Sequence, residues 1–180
     1  LSLHFDSPAK DWESEGLPIG NGQMGAMLLG NPGLARIQFN EESLWRGDEN
    51  DTGKYQNFGE LTFQFAAANE TPRESGYRRS LDLANAIHRA SWTRDGAGIT
   101  QEAFASFPAK VIVVRWTADK PGGLSGVLNL TDAHGAKTEI SGDTMTIAGD
   151  FPGYTYDGGM KWLPLHREAQ VRVLHTGGSL

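Results

Sequence analysis

Apolar residues recur along this chain at every second position over short stretches, and nowhere is a 3.6-residue period sustained. Leu61, Phe63 and Phe65 alternate with Thr62 and Gln64, which sets all three on one face of a strand. Leu3 and Phe5 alternate in the same way and predict a half-buried edge strand over residues 2–5. Similar runs predict strands at 24–29, 34–40, 77–83, 86–93, 99–107, 124–130, 137–140, 144–148 and 165–174. Residues 110–116 form the most hydrophobic segment, rich in β-branched side chains, and are expected near the centre of a sheet. Asn31-Pro32-Gly33, Pro108-Ala109 and 119–123 read as turns, and 66–75 as a loop. Asp95-Gly96 is a strong hairpin signal, because both residue types tolerate positive φ. Many short strands, with turns roughly every ten residues, predict an all-β fold: an antiparallel β-sandwich.

Composition narrows this picture. A chain of 180 residues is long enough for one domain with a real core. Its 23 glycines and 8 prolines suit a turn-rich β architecture. The net charge of −6 argues against nucleic acid or an anionic membrane as a partner, and no apolar run approaches a membrane span. With no cysteine there is no disulfide framework and no thiolate metal site. The first residue is Leu1, and residues 1–6 lack the basic and apolar regions of a signal peptide, so residues upstream are expected to have been removed.

Candidate chemistry is sparse. His4, His88, His134, His166 and His175 are dispersed, and no H-E-x-x-H motif supports a hydrolytic metal. Asp48-x-Asn50-x-Thr52-Gly53 half-matches a calcium loop, but its twelfth position is Gly59 rather than Glu, so no metal is expected. There is no G-x-S-x-G elbow. Asn50, Asn69 and Asn129 head N-x-T sequons, relevant only in a source that glycosylates exported proteins.

The most informative stretch is 17–47. Gly20, Gly22 and Gly25 spell G-x-G-x-x-G, the pattern of a dinucleotide-binding turn. Its context is wrong for that role. Pro18 cannot donate to a central ladder, and the apolar run after Gly25 ends at a turn too soon for a phosphate-binding helix. No cofactor is expected. The glycines instead read as the entry to a hairpin, with Asn21 on a tight loop near Asn40, Glu41, Glu42 and Trp45. Amide, carboxylate and indole groups could meet sugar hydroxyls and an apolar sugar face. The favoured expectation is plainer: Asn21 and Asn40 satisfy backbone groups in tight turns, and Trp45 fills a core between domains. Trp12 is likewise expected as a hydrophobic anchor beneath the loop. Glu41 and Glu42 are adjacent, so on a strand they face opposite ways and cannot flank one bond.

Pro18-Ile19-Gly20-Asn21-Gly22-Gln23-Met24-Gly25-Ala26-Met27, followed by Ile37-Gln38-Phe39-Asn40-Glu41-Glu42-Ser43-Leu44-Trp45-Arg46-Gly47, resembles the start of the N-terminal β-domain of glycoside hydrolase family 95, the inverting α-L-fucosidases and their α-L-galactosidase relatives. Tyr55-Gln56 through Leu61, Arg79-Ser80-Leu81-Asp82-Leu83, Phe104-Ala105-Ser106-Phe107-Pro108 and Val111-Ile112-Val113-Val114-Arg115 extend the resemblance along the chain. It departs in two places. A long helical insertion usual between Gly47 and Tyr55 is missing, which puts substrate specificity in doubt, and Gln101 stands where the family usually has Arg.

The resemblance implies a supersandwich-like domain spanning 1–180, with further strands after 170–178, so the sandwich is expected to be unfinished at Leu180. It implies that the catalytic carboxylates lie on an (α/α)6 barrel outside this chain. No catalytic residue is therefore assigned, and the chain alone is expected to be inactive. The implied partners are a glycan carrying terminal α-L-fucose or α-L-galactose, met through the absent barrel, and the barrel itself as a docking partner. The implied location is secreted or periplasmic. The alternative is a stand-alone carbohydrate-binding or structural domain without catalysis.

Overall fold

A computed structural model describes residues 1–47, 53–66, 73–151, 154–155, 161–162 and 164–180, with only the backbone at 154–155 and 161–162. All regular structure in it is β. In chain order the strands are β1 (Ser2–Phe5), β2 (Leu17–Gly20), β3 (Met24–Asn31), β4 (Leu34–Glu41), β5 (Trp45–Arg46), β6 (Lys54–Tyr55), β7 (Gly59–Phe65), β8 (Glu74–Asp82) and β9 (Ile87–Arg94). They continue with β10 (Ala97–Ser106), β11 (Val111–Ala118), β12 (Gly126–Asp132), β13 (Thr138–Ser141), β14 (Thr144–Phe151), β15 (Tyr154–Thr155), β16 (Lys161–Trp162) and β17 (Leu165–Arg172). The chain forms two compact units, one of residues 1–39 and 61–129, the other of 40–60 and 130–180.

The first unit holds the sandwich core. One sheet has the order β1-β8-β9-β10-β11, and the other the order β12-β7-β4-β3-β2. The pairings β1–β8, β8–β9, β9–β10, β10–β11 and β2–β3 are all antiparallel. Period-two alternation dictates which side chains meet. From one sheet come Ala90, Trp92 and Ile99; from the other come Ala35 and Phe65; Phe63, Tyr77 and Trp116 pack around them. Phe65 meets Trp92 edge-on at 5.4 Å and Phe63 at 4.4 Å. Burying side chains such as Phe65 and Ile99 stabilises the fold by about 2 kcal/mol each. The fold is thus an antiparallel β-sandwich, as the alternating pattern predicts.

The hairpin between β9 and β10 turns on Asp95 (φ 48°) and Gly96 (φ 80°), the two positive-φ positions a tight turn needs. Pro18 sits in β2, at the edge of its sheet, where its missing N–H removes no interior ladder bond. One expectation is overturned. Residues 110–116 do not supply a central strand, because β11 closes the edge of its sheet. Its inward positions, Val114 and Trp116, face the core opposite Ala103 and Gln101, while Val111 remains 42% exposed. β-branching favours strand geometry and does not by itself choose a central place. The centre is taken by β9, whose inward positions are His88, Ala90, Trp92 and Arg94.

In the second unit β13, β14 and β17 form a three-stranded antiparallel sheet, with two-stranded pairs β5–β6 and β15–β16. Met145, Ile147 and Phe151 are buried along β14.

Candidate functional site

Asn21 follows β2 and organises the glycine-rich loop. Its Oδ1 accepts from the backbone N–H of Gln23 (3.0 Å) and Met24 (2.7 Å), an Asx turn. Its Nδ2 donates to the carbonyl of Ser106 at the end of β10, at 2.9 Å. Gly22 takes φ 89°, the left-handed conformation that lets the chain reverse within this loop. The Asn21 amide is therefore engaged with the chain's own backbone on both sides.

Asn40, Glu41, Glu42 and Trp45 belong to the second unit, whereas Asn21 belongs to the first. Asn40 Oδ1 accepts from the N–H of Glu41 at 2.9 Å. The Glu41 carboxylate accepts from the N–H of Ser43 at 2.8 Å and from the Ser43 hydroxyl. Glu42 is exposed in the turn that follows β4. The buried anchor of this segment is Leu44, 3% exposed, whose carbonyl accepts from the N–H of Gln56. Trp45 is half-exposed and meets Tyr55 edge-on across the β5–β6 pair, with ring centroids 4.9 Å apart. Trp12 is also half-exposed, contrary to its expected role as a buried anchor. The turn it occupies is closed by polar bonds, from Ser14 to the Asp11 carboxylate and from Glu15 and Gly16 to the Asp11 carbonyl, so the loop needs no ring beneath it.

The sequence pattern alone did not single out the buried polar residues. Arg79, His88, Arg94 and Gln101 are all buried in the first unit. Arg79 donates to the carbonyls of Ser7 (2.9 Å) and Glu15 (2.5 Å) and lies over the Phe5 ring, so it ties the N-terminal segment to β8. Arg94 pairs with Glu74 and reaches the carbonyl of Pro32. Gln101 accepts from Trp116 Nε1 at 2.9 Å. Burial, reinforced by the Arg79 charge, pushes the His88 imidazolium down to about 4, so the ring is neutral at ordinary pH. The signal was present: Arg79 is in phase with Leu81, Arg94 with Trp92, and Gln101 with Ile99 and Ala103.

In the second unit the Asp132 carboxylate accepts from Arg167 and from the N–H groups of His134 and Ala136. Phe151 carries the Arg167 guanidinium over its ring at 4.5 Å and the His134 ring edge-on at 4.4 Å. No group of three or more metal-ligating side chains occurs among the described residues. The half-match to a calcium loop at 48–52 and the sequons at Asn50 and Asn69 lie outside the described residues, whereas Asn129 is exposed in β12.

The chain is thus an all-β sandwich in which Asn21, Asn40 and Glu41 bond to its own tight turns. The profile described as glycosyl hydrolase family 65, N-terminal domain, matches residues 3–54 and 48–180, and the chain belongs to that family. That domain is related to the family 95 N-terminal domain whose motifs the chain resembles. Among known proteins, the chain is 28% identical to alpha-L-fucosidase 2 of Arabidopsis thaliana, a match covering 69% of the chain and 19% of the relative. It is 25% identical to proteins named probable alpha-fucosidase A from Aspergillus oryzae (62% of the chain, 21% of the relative) and Aspergillus niger (82% and 24%). The chain therefore spans about a fifth of the length of these relatives.

Proposed function

We propose that this chain is the N-terminal β-domain of an inverting exo-glycosidase that removes terminal α-L-fucosyl or α-L-galactosyl residues from glycans. In this reading the catalytic acid and base belong to a helical barrel outside residues 1–180, and the β-domain supports that barrel. One observation carries the supporting role: the Asn21 side chain makes all three of its hydrogen bonds to the domain's own backbone. An amide so engaged serves the loop and has little left for a sugar hydroxyl. Trp45, half-exposed beside Tyr55, is the motif residue with ring surface available for a neighbouring domain. The parent enzyme would act outside the cytoplasm, a placement that fractionation of the source cells tests.

The decisive experiment introduces Asn21→Ala and Glu41→Gln separately into an enzyme carrying both domains. A supporting role predicts a lowered melting temperature with kcat/KM on an aryl α-L-fucoside unchanged within about twofold. A raised KM at unchanged melting temperature would transfer these residues to the substrate cleft. The isolated chain is expected to show no hydrolysis of the same substrate, and robust turnover by it would overturn the proposal.

The exposed Trp45–Tyr55 pair favours a second reading, a carbohydrate-binding domain active without a barrel. Calorimetric binding of L-fucose to the isolated chain, abolished by Trp45→Ala, would support that reading instead.

A further inference from the structure

Resting on the reading of the chain as one domain of a larger enzyme, we propose that Trp45 and Tyr55 form the surface that docks against the rest of the same polypeptide, and that Phe151 is the residue that positions them. Strand geometry turns the two rings outward together. Trp45 is paired with Tyr55 across β5 and β6, and Arg46 with Lys54. Neighbouring side chains on a strand point to opposite sides, so Arg46 leaves the ribbon on the side away from Trp45. There its guanidinium lies over the Phe151 ring, 5.1 Å from the centroid.

Phe151 seats the second strand as well. His134 meets the same ring edge-on at 4.4 Å, and its Nε2 lies 2.7 Å from the carbonyl oxygen of Asn57, just beyond β6. A carbonyl oxygen only accepts, so His134 carries a proton on Nε2 and donates it. Backbone bonds close the seat: the N–H of Ala133 donates to the carbonyl of Phe58 at 3.0 Å, and that of Gln56 to the carbonyl of Leu44 at 2.9 Å. One phenyl ring, 4% exposed, thus holds β5 through Arg46 and the end of β6 through His134. All of these residues belong to the second unit.

What the seat presents is a corner. Trp45 is 43% exposed and Tyr55 58%, and their ring planes stand 84° apart. Two perpendicular rings enclose an apolar notch that fits a protein side chain, whereas one flat open face is what a sugar ring stacks on. Trp and Tyr are also the residue types that most often anchor protein interfaces. The relatives supply the occupant: the matched part is only 19–24% of their length, which leaves most of such a polypeptide to meet this surface.

The test is hydroxyl-radical footprinting, read residue by residue by mass spectrometry, on this chain alone and on an enzyme carrying both domains. Trp45 and Tyr55 are expected to oxidise several-fold more slowly in the two-domain enzyme than in the chain alone. Phe151→Leu and Arg46→Met, made separately in the two-domain enzyme, are each expected to restore oxidation of Trp45. Met145, 6% exposed in the same unit, stays protected wherever the unit is folded. If Phe151→Leu exposes Met145, Arg46→Met decides. Equal oxidation of both rings in the two proteins would overturn the docking role, and continued protection of Trp45 in the folded variants would overturn the positioning role. Protection in the chain alone on adding L-fucose, or on raising the chain's own concentration, would assign the surface to a sugar or to a second copy and overturn the proposal. Footprinting needs no turnover, so an inactive two-domain protein that still protects the rings would count against the glycosidase reading and support the docking surface.

Discussion

Arg167 grips Asp132 with two parallel bonds, Nε and Nη2 donating to the two carboxylate oxygens at 3.0 and 2.7 Å, and neither side chain is more than 4% exposed. Burial pushes the Asp132 carboxyl up. The bond from Arg167, the N–H groups of Ala136 and His134 and the Arg167 charge outweigh that push and hold it below the usual carboxylate range. Removing one partner of such a pair leaves an uncompensated buried charge. Asp132→Ala is expected to destabilise the chain by about 3–5 kcal/mol. Arg167→Met should cost less, because Asp132 keeps two backbone donors. Urea unfolding of both variants and the double mutant measures the coupling, and a double mutant more stable than Asp132→Ala is the expected sign. The Asp132 contribution is present above the usual carboxylate range and is lost as pH falls through the lowered value.

His88 gives the chain a second acid sensitivity, in a different window. Its folded value is about 4 against an ordinary 6.5, so the unfolded state binds the extra proton between those limits. Stability contributed by the neutral ring is complete above about 6.5 and falls as the pH drops toward 4, by about 3 kcal/mol in all. Arg79 faces the same interior and reinforces the shift. Thermal melts from pH 7 to 4 are expected to decline steeply for the wild type and more gently for His88→Gln.

The Asn21 turn can be dissected by two substitutions. Asn21→Ala strands the N–H groups of Gln23 and Met24 and the carbonyl of Ser106, and should cost about 2 kcal/mol. Asn21→Asp keeps both acceptor bonds and loses only the donor to Ser106, so its loss should be smaller. Equal losses in chemical denaturation would mean that the Ser106 bond dominates.

Glycines in this chain differ in why they are needed, and Gly30 and Gly22 separate the reasons. At Gly30 (φ 126°) a Cβ would sit 2.6 Å from the Leu34 carbonyl oxygen and 2.9 Å from Ala35 Cα, so backbone would have to move. Gly30→Ala is expected to cost about 3 kcal/mol or more. At Gly22 (φ 89°) a Cβ would meet nothing within 4 Å, and Gly22→Ala should cost about 1 kcal/mol, from backbone conformation alone. Melting curves of the two variants rank the effects.

Strand positions were legible in the sequence because period-two alternation is a local property. Residues 61–65 and the Asp95-Gly96 hairpin needed only their neighbours to be read. Strand order is not local. The run Val111-Ile112-Val113-Val114 reads the same at an edge or a centre, and only its pairing with β10 alone places it. The interior charges were not singled out for a related reason. Arg79 and Arg94 are in phase with apolar neighbours, but their long side chains have partners far along the chain, Glu15 and Pro32, that no local window contains. Of the motif residues, Asn21 behaves as the turn chemistry predicts, and Leu44 is the buried anchor within the chain while Trp45 stays half-exposed.

The turn at Asn21 also bears on how the chain ages. Asn21-Gly22 is the one Asn-Gly step in the sequence, the step at which a backbone nitrogen most readily attacks a side-chain amide and releases ammonia. Here the amide is held by two incoming N–H groups and by its own bond to Ser106, so it is kept from rotating into that attack. Conversion to a carboxylate would replace a donor with a negative charge facing the Ser106 carbonyl. The same three bonds that shape the loop thus protect it from a chemical change that would break the one to Ser106, and that protection lasts only while β2, β3 and the end of β10 remain folded together.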